Sequence, residues 1–188
     1  MDTNYFNFIE NLKSNKNIDF FSYTGWSGLQ VVKLLIPKSK KITNLQLDES
    51  FPHLVNKEKI FISTENNIEF KSDDMNKTLN NFDAVDIVSK NKKYEFSSLK
   101  DTFIFMISSS KSETPEGKSI YFNFKKDLEA RNLWGGQIIS RPYEGKELTV
   151  VLFDLKPGFK FEDKGRANEQ ITGLTAGELD FYSNTKKK

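Results

Sequence analysis

The chain has 188 residues, enough for one large domain or two small ones. Its 28 Lys and Arg residues against 26 Asp and Glu residues give a formal net charge of +2, which implies no strong field for binding nucleic acid or an anionic membrane. The chain has no cysteine and one histidine, His53. This composition excludes a disulfide framework, a zinc–thiolate site, a cysteine nucleophile and a metal site built from several histidines.

The absence of targeting signals and of membrane-spanning stretches from this sequence predicts a soluble, cytoplasmic protein. The first twenty residues include Asp2 and Glu10 and have neither the basic start nor the apolar run of a signal peptide. No stretch approaches the roughly eighteen apolar residues that span a bilayer. We therefore expect neither a membrane nor a nucleic acid as a partner.

Short apolar segments separated by turn residues predict an all-β chain. The 17 Phe and 6 Tyr residues favour half-buried strands, and alternation of apolar and polar residues is typical of antiparallel pairing. About a dozen such strands indicate a sandwich or barrel. Residues 2–13 and 125–131 are predicted to be helical, and the Ser- and Lys-rich residues 108–119 to be a linker. In chain order, the clearest strands are predicted at residues 28–36, 41–47, 60–63, 68–70, 84–88, 93–96 and 102–107.

The sequence contains an internal repeat. Trp26-Ser27-Gly28 recurs 108 residues later as Trp134-Gly135-Gly136, and residues 42–47 align with residues 150–155 at the same offset. Beyond a loop the offset becomes 111, and Glu58-Lys59-Ile60 aligns with Glu169-Gln170-Ile171. The second copy therefore has no counterpart of residues 78–110.

A shortened second copy has three possible explanations. A half-built antiparallel unit exposes sheet edges and an apolar face. Either the chain is a truncated product, or another chain completes the second unit, or the half sheet packs on the first barrel.

Residues 157–179 resemble the first conserved motif of the cupin superfamily, G-x5-H-x-H-x3-4-E-x6-G. Gly158 and Gly177 stand at its glycine positions, and Gln170 stands where the family usually has Glu. The two metal-binding histidine positions hold Lys164 and Arg166. Both are cations without a lone pair at neutral pH, so they repel a divalent metal.

The first copy resembles the same family in outline. His53 aligns with Lys164, the first histidine position. Residues 82–85 resemble the start of the second cupin motif, Gly-Asp-x-Val, with Phe82 at the glycine position, and the histidine of that motif falls at Lys93 or Tyr94. Because a lone imidazole is a poor metal site, we expect His53 to be a hydrogen-bonded or surface residue.

The resemblance implies a bicupin with degenerate metal motifs. Its fold is expected to be an all-β double-stranded β-helix, the cupin or jelly-roll barrel, followed by a second, partial cupin unit. We predict an N-terminal arm with helical character at residues 1–19, a barrel at 20–110, a linker at 111–122 and the partial second unit at 123–188.

The leading hypothesis is a cupin-like protein that has lost its metal ligands and binds a small anionic or sugar-like molecule without a cofactor. In the second unit, Arg166 offers a bidentate guanidinium and Lys164 a point charge. Glu169 and Gln170 are placed to orient a hydroxyl group of the ligand. The structural alternative is that the two cations lie on an exposed loop and pair with neighbouring carboxylates.

Two other hypotheses stay open. One is a metal-dependent cupin enzyme, a lyase, isomerase or dioxygenase, in a truncated or altered form that would need a divalent metal. The other is a structural role in which exposed sheet edges join identical chains into a homo-oligomer. A fold alone does not select among these functions, and whether the chain catalyses a reaction is left open.

Overall fold

The computed structural model describes residues 13–15, 18–25, 27–88, 92–111 and 116–160. Strands predominate in these residues, and the predicted all-β fold class is confirmed. The strands are β1 (Lys13–Asn15), β2 (Ile18–Thr24), β3 (Leu29–Ile36), β4 (Lys41–Thr43), β5 (Lys59–Ser63), β6 (Ile68–Ser72), β7 (Asn76–Leu79), β8 (Asp83–Ile87), β9 (Tyr94–Ser98), β10 (Thr102–Ser109), β11 (Ile120–Asn123), β12 (Arg131–Leu133), β13 (Ile138–Glu144) and β14 (Thr149–Leu155). The helices are α1 (Asn44–Ser50) and the 3-10 helices Pro52–Leu54 and Trp134–Gly136. Within the described ranges, no helix has the length and apolar character needed to cross a membrane.

Two antiparallel sheets face each other and form the barrel. In the described residues, the larger sheet has seven strands in the order β1-β2-β3-β10-β5-β8-β11, and the smaller has four in the order β4-β9-β6-β7. Strand β10 lies at the centre of the larger sheet, where Met106 is opposite Val32 on one side and Phe61 on the other. The strand neighbours are mostly distant in sequence, as expected for a barrel with crossing connections.

Apolar side chains from both sheets fill the barrel interior. Along β3, Val32 and Leu34 are fully buried, and the residues that alternate with the buried ones are partly exposed. This is the period-two pattern of a half-buried strand. Across the barrel, the ring of Phe96 lies 4.7 Å from that of Phe61 and 5.0 Å from that of Phe70, measured between centroids. This aromatic core joins the two sheets.

A third sheet packs on the outer face of the seven-stranded sheet. Among the described residues it has the order β12-β13-β14, and it belongs to the predicted second unit. Tyr143 on β13 and Val150 and Leu152 on β14 pack against a buried cluster that includes Ala84 and Phe122. The described part of the predicted second unit therefore packs on the first barrel.

One predicted strand is wrong over half its length. Residues 41–47 alternate in polarity, but only β4 is extended, and α1 begins at Asn44. The cause is a capping box: Thr43 N donates to Gln46 Oε1 at 2.9 Å, and the Thr43 hydroxyl accepts from Gln46 N. The reciprocal bonds satisfy backbone groups at the start of the helix and favour it over a continued strand.

One predicted helix is also wrong. Residues 125–131 form turns that lead into β12. The Asn123 side chain accepts hydrogen bonds from Lys125 N at 2.9 Å and Lys126 N at 3.1 Å. These bonds cap a single turn, which Asp127 N closes on Asn123 O at 2.9 Å, and the chain then extends towards β12 without a further helical turn.

Several predictions concern residues that the structure describes only in part or not at all. Strand β11 begins inside the predicted linker 111–122 and pairs with β8 at the edge of the large sheet. Residues 1–12, most of the predicted N-terminal arm, and residues 161–188, which carry the second half of the repeat, lie outside the described residues. The domain division and the bicupin repeat stay predictions.

Candidate functional site

A cavity of about 660 Å³ opens at one end of the barrel, between the four-stranded sheet, α1 and the start of β5. Its walls are strongly cationic, with six lysines against three carboxylates. The lining residues are Lys41, Thr43, Asn44, Leu45, Asp48, Val55, Asn56, Lys57, Lys59, Lys71, Ser72, Asp73, Ile87, Lys92, Lys93, Tyr94 and Glu95.

Lys59 forms part of the cavity wall. It begins β5 on the same inward face as Phe61, and only 5% of its surface is exposed. Its Nζ donates a hydrogen bond to Leu54 O at 2.7 Å and lies 3.8 Å from Asp48 Oδ1. Burial lowers the pKa of the Lys59 amine below its ordinary value, and the Asp48 charge offsets this only in part.

Tyr94 lines the same cavity and has a buried hydroxyl. It begins β9, and its ring packs with centroids 5.6 Å from Phe61 and 6.1 Å from Phe96. Its Oη is buried and has no hydrogen-bond partner among the residues that the structure describes. Burial raises the pKa of Tyr94, and the nearby Asp48 charge raises it further. The hydroxyl therefore stays protonated and keeps a hydrogen that no described acceptor takes.

The rim of the cavity carries unneutralised charge. Lys41 pairs with Glu95 at 2.6 Å, whereas the ammonium groups of Lys71 and Lys93 have no carboxylate partner within the described ranges. Because the whole chain has a net charge of only +2, this local surplus of cations makes the cavity an attractive region for an anion.

Two cavity residues stand where the cupin resemblance implies metal ligands. Lys59 aligns through the repeat with Gln170, at the Glu position of the first motif, and Tyr94 is one of the two candidates for the histidine position of the second. Phe82, at the glycine position of the second motif, has φ 69°, a left-handed conformation that glycine adopts most readily. The backbone at Phe82 therefore has the conformation that a glycine at this motif position would favour.

These side chains do not fit a divalent metal. An amine that is hydrogen-bonded to a carbonyl and a protonated phenol are not the carboxylate and imidazole ligands that such metals prefer. Counting only residues that the structure describes, no group of three or more His, Asp and Glu side chains is arranged to hold a metal ion.

His53 lies apart from the cavity lining. It is an exposed residue of the 3-10 helix Pro52–Leu54, and its Nε2 lies 2.6 Å from Gln30 Oε1. With the amide oxygen of Gln30 as acceptor, Nε2 carries the hydrogen and donates it. A hydrogen-bonded surface position of this kind is what the sequence predicted for His53.

The ligand site predicted from the second unit is not described by the structure. Lys164, Arg166, Glu169 and Gln170 all lie in residues 161–188, outside the described ranges, so that site stays a prediction. Sequence reasoning missed Lys59 as a site residue. The repeat supplied the signal, because it aligns Lys59 with Gln170.

A second polar cluster lies where the third sheet meets the barrel. Glu58 and Asp86 are both fully buried. Glu58 accepts hydrogen bonds from Lys146 N and Glu147 N, each at 2.8 Å. Burial raises the pKa of Asp86 to about 7; the hydrogen bond from Tyr143 opposes this shift, and the neighbouring Glu58 charge adds to it. The cluster links the β13–β14 hairpin to the barrel.

Comparison with known proteins finds similar structures but no similar sequence. No protein-family profile and no curated protein matches the sequence. A protein of Pseudomonas aeruginosa, named as glyoxylate-induced, has a structure that matches with a TM-score of 0.58 and 10% identity over 76% of this chain and 57% of its own. A cupin 2 conserved barrel domain protein of Leptotrichia buccalis matches with a TM-score of 0.50 and 17% identity over 78% of this chain and 62% of its own.

These likenesses concern the fold, because both identities are low and the chain spans less than two thirds of either structure. They agree with the arrangement of antiparallel sheets described above. The chain has an all-β jelly-roll fold, similar to that of the cupin 2 conserved barrel domain protein.

Proposed function

We propose that this cupin-like protein binds a small anionic molecule, without a metal, in the cavity at the end of its barrel. The observation that carries the proposal is that Tyr94, a residue of the cavity lining, has a buried hydroxyl without a partner among the described residues. An unsatisfied buried hydroxyl costs roughly 1–3 kcal/mol. A ligand oxygen that accepts its hydrogen bond would recover that free energy.

The charge of the cavity favours an anion over a neutral ligand. Lys71 and Lys93 supply positive charge at the rim that no described carboxylate neutralises. These exposed ammonium groups attract a carboxylate or phosphate by long-range interaction, which salt screens over about 10 Å at 0.1 M. Binding should therefore weaken as the ionic strength rises.

Isothermal titration calorimetry on protein treated with a chelator tests this function. We expect binding of pyruvate, citrate or inorganic phosphate, and no binding of glucose, which tests for a sugar-like ligand. The double variant Lys71→Met and Lys93→Met should bind the anion about tenfold more weakly, which corresponds to a loss of about 1.4 kcal/mol.

The matched control is the double variant Lys38→Met and Lys126→Met, which removes two exposed lysines outside the cavity and the same net charge. It should bind as tightly as the wild type. Equal weakening in both double variants, or a stoichiometric metal in the purified protein whose removal abolishes binding, would contradict the proposal.

The second-unit site is a separate proposal with its own test. Its expected ligand groups, Lys164 and Arg166, follow from the motif alone. If Arg166→Ala leaves the binding of every anion in the panel unchanged while the cavity double variant weakens it, the ligand site belongs to the barrel cavity.

We also propose that identical chains associate through sheet edges. Strand β14 lies at the edge of the third sheet in the described residues, and Phe153 and Leu155 on it are 39% and 36% exposed. Exposed apolar side chains on an edge strand favour pairing with a second chain. Light scattering should give a mass of at least two chains, and a strict monomer overturns this proposal.

A further inference from the structure

We propose that Lys59 forms an imine with the carbonyl group of a small 2-oxo acid bound in the barrel cavity. This inference rests on the proposed function, because it assumes that the cavity admits a small anion, and it adds the chemical class of the ligand and a covalent step.

The geometry around Lys59 suits a nucleophilic amine. Lys59 lines the cavity, and its Nζ donates one hydrogen bond to a backbone acceptor, Leu54 O at 2.7 Å, and lies 3.8 Å from Asp48 Oδ1. A single donated hydrogen bond orients the amine and leaves its lone pair available once the proton has been lost. Burial lowers the pKa of this amine, which increases the neutral fraction.

Tyr94 and Asp48 complete the site. Both line the same cavity as Lys59, and Asp48 Oδ1 lies 3.8 Å from Lys59 Nζ. The protonated Tyr94 hydroxyl can donate to the carbonyl oxygen of the ligand and polarise the carbonyl carbon. The cationic rim formed by Lys71 and Lys93 can hold the carboxylate of the same molecule.

The covalent step balances without an oxidant or reductant. The lone pair of the neutral Lys59 amine attacks the carbonyl carbon, the π electrons move to the oxygen, and Asp48 carries one proton from the nitrogen to that oxygen, which becomes a hydroxyl group. Asp48 then accepts the second proton from the nitrogen and passes it to the hydroxyl, which leaves as water while the C=N bond forms. The sum is amine plus ketone giving imine plus water.

Reductive trapping tests the inference on the full chain. The protein is incubated at about pH 7 with pyruvate and cyanoborohydride, which reduces an imine to a stable amine, and carboxyethylated lysines are then located by peptide mass spectrometry. We expect Lys59 to be labelled at least about tenfold faster than Lys100 and Lys126, two exposed lysines outside the cavity lining. Inorganic phosphate, which cannot form an imine, should slow the labelling of Lys59 by competition.

Variants and a binding control separate this inference from the proposed function. Lys59→Met should lose the fast label, whereas Lys57→Met, which removes a neighbouring cavity lysine, should keep it. If Lys59 is labelled no faster than Lys100 while calorimetry still shows pyruvate binding, the imine is excluded and anion binding stands. If pyruvate and phosphate both fail to bind and Lys59 is not labelled, both are overturned.

Discussion

The hydroxyl of Tyr143, on the third sheet, donates a 2.7 Å hydrogen bond to Asp86 Oδ2 on the seven-stranded sheet of the barrel. The ring of Tyr143 also stacks on that of Phe122, with 3.9 Å between centroids and 17° between planes. Asp86 Oδ1 has no hydrogen-bond partner among the described residues, and the buried Glu58 lies beside it. This contact therefore joins the third sheet to the barrel through the Asp86 carboxyl group, and the protonation state of that group affects the stability of the protein.

The raised pKa of Asp86 predicts that the protein loses stability as the pH rises. The folded-state pKa of about 7 stands above the ordinary value of 3.8, so the folded protein binds this proton more tightly than the unfolded chain does. The stabilisation is complete below about pH 4 and is lost as the pH rises to about 7. Asp86→Asn should remove this dependence. Its free energy of unfolding relative to that of the wild type should increase by on the order of 2 kcal/mol as the pH rises from about 5 to about 8.

Chemical denaturation across that pH range measures the effect. Asp19→Asn, on strand β2 of the same sheet, is the control and should leave the slope of stability against pH unchanged. A wild-type stability that stays level or increases from about pH 5 to about pH 8, with Asp86→Asn parallel to it, would show that Asp86 is ionised throughout.

Tyr143→Phe should destabilise the protein by about 1–3 kcal/mol, because it leaves Asp86 Oδ2 without its donor while keeping the stacked ring. The loss should be larger at about pH 8 than at about pH 5, since the hydrogen bond favours the charged form of Asp86. In an Asp86→Asn background the pH dependence of the loss should disappear. Equal losses at both pH values in the wild-type background would place the effect of the hydroxyl elsewhere.

Gly145→Ala should detach the β13–β14 hairpin from the barrel. A Cβ at this position would overlap Glu58 Oε1 and lie 3.0 Å from Leu148 O. Because the Glu58 carboxylate is fixed by two backbone donors, it cannot move aside without losing them. We expect a loss of about 1–3 kcal/mol and faster hydrogen exchange in β13 and β14, with the exchange of β3 and β10 unchanged.

Gly135→Ala is the matched control for this substitution. A Cβ at Gly135 meets no atom within 4 Å, so the cost is limited to its positive φ of 62°, about 1 kcal/mol. Uniform acceleration of exchange across all strands in Gly145→Ala would indicate global unfolding in place of hairpin detachment.

Tyr94→Phe should leave the protein equally stable or more stable by about 1 kcal/mol, because it removes a buried hydroxyl that has no described partner. The same change should weaken pyruvate binding, measured by calorimetry beside thermal unfolding. Tyr121→Phe, whose hydroxyl lies outside the cavity lining, is the control for binding. A stability loss above about 1 kcal/mol with unchanged binding would mean that the hydroxyl is structural.

The sequence predicts the fold because strand alternation is a local property that burial on one face imposes. Strands β3 and β10 follow the predicted segments closely, since each alternates buried and partly exposed residues along its whole length. The failure at residues 44–47 has a local cause too. Thr43 and Gln46 form a capping box that the sequence displays, and alternation alone does not reveal it.

The candidate site was less accessible to sequence reasoning. Tyr94 stands at a position that the motif singles out, but the motif describes a metal ligand, so it cannot show that a tyrosine there is buried without a partner. Lys59 appears in the sequence as one lysine among many. Its amine is covered by Leu54 O of the 3-10 helix and by Asp48 of α1, and the alternation pattern of the sequence does not reveal how these elements fold back over β5.

A crystal structure of the chelator-treated protein with pyruvate is the most direct test of anion binding in the barrel cavity. We predict electron density for pyruvate in the cavity, with an oxygen within hydrogen-bond distance of Tyr94 Oη and the carboxylate towards Lys71 and Lys93. An empty cavity at a pyruvate concentration that saturates the calorimetric titration, or a metal ion coordinated there, would contradict the account.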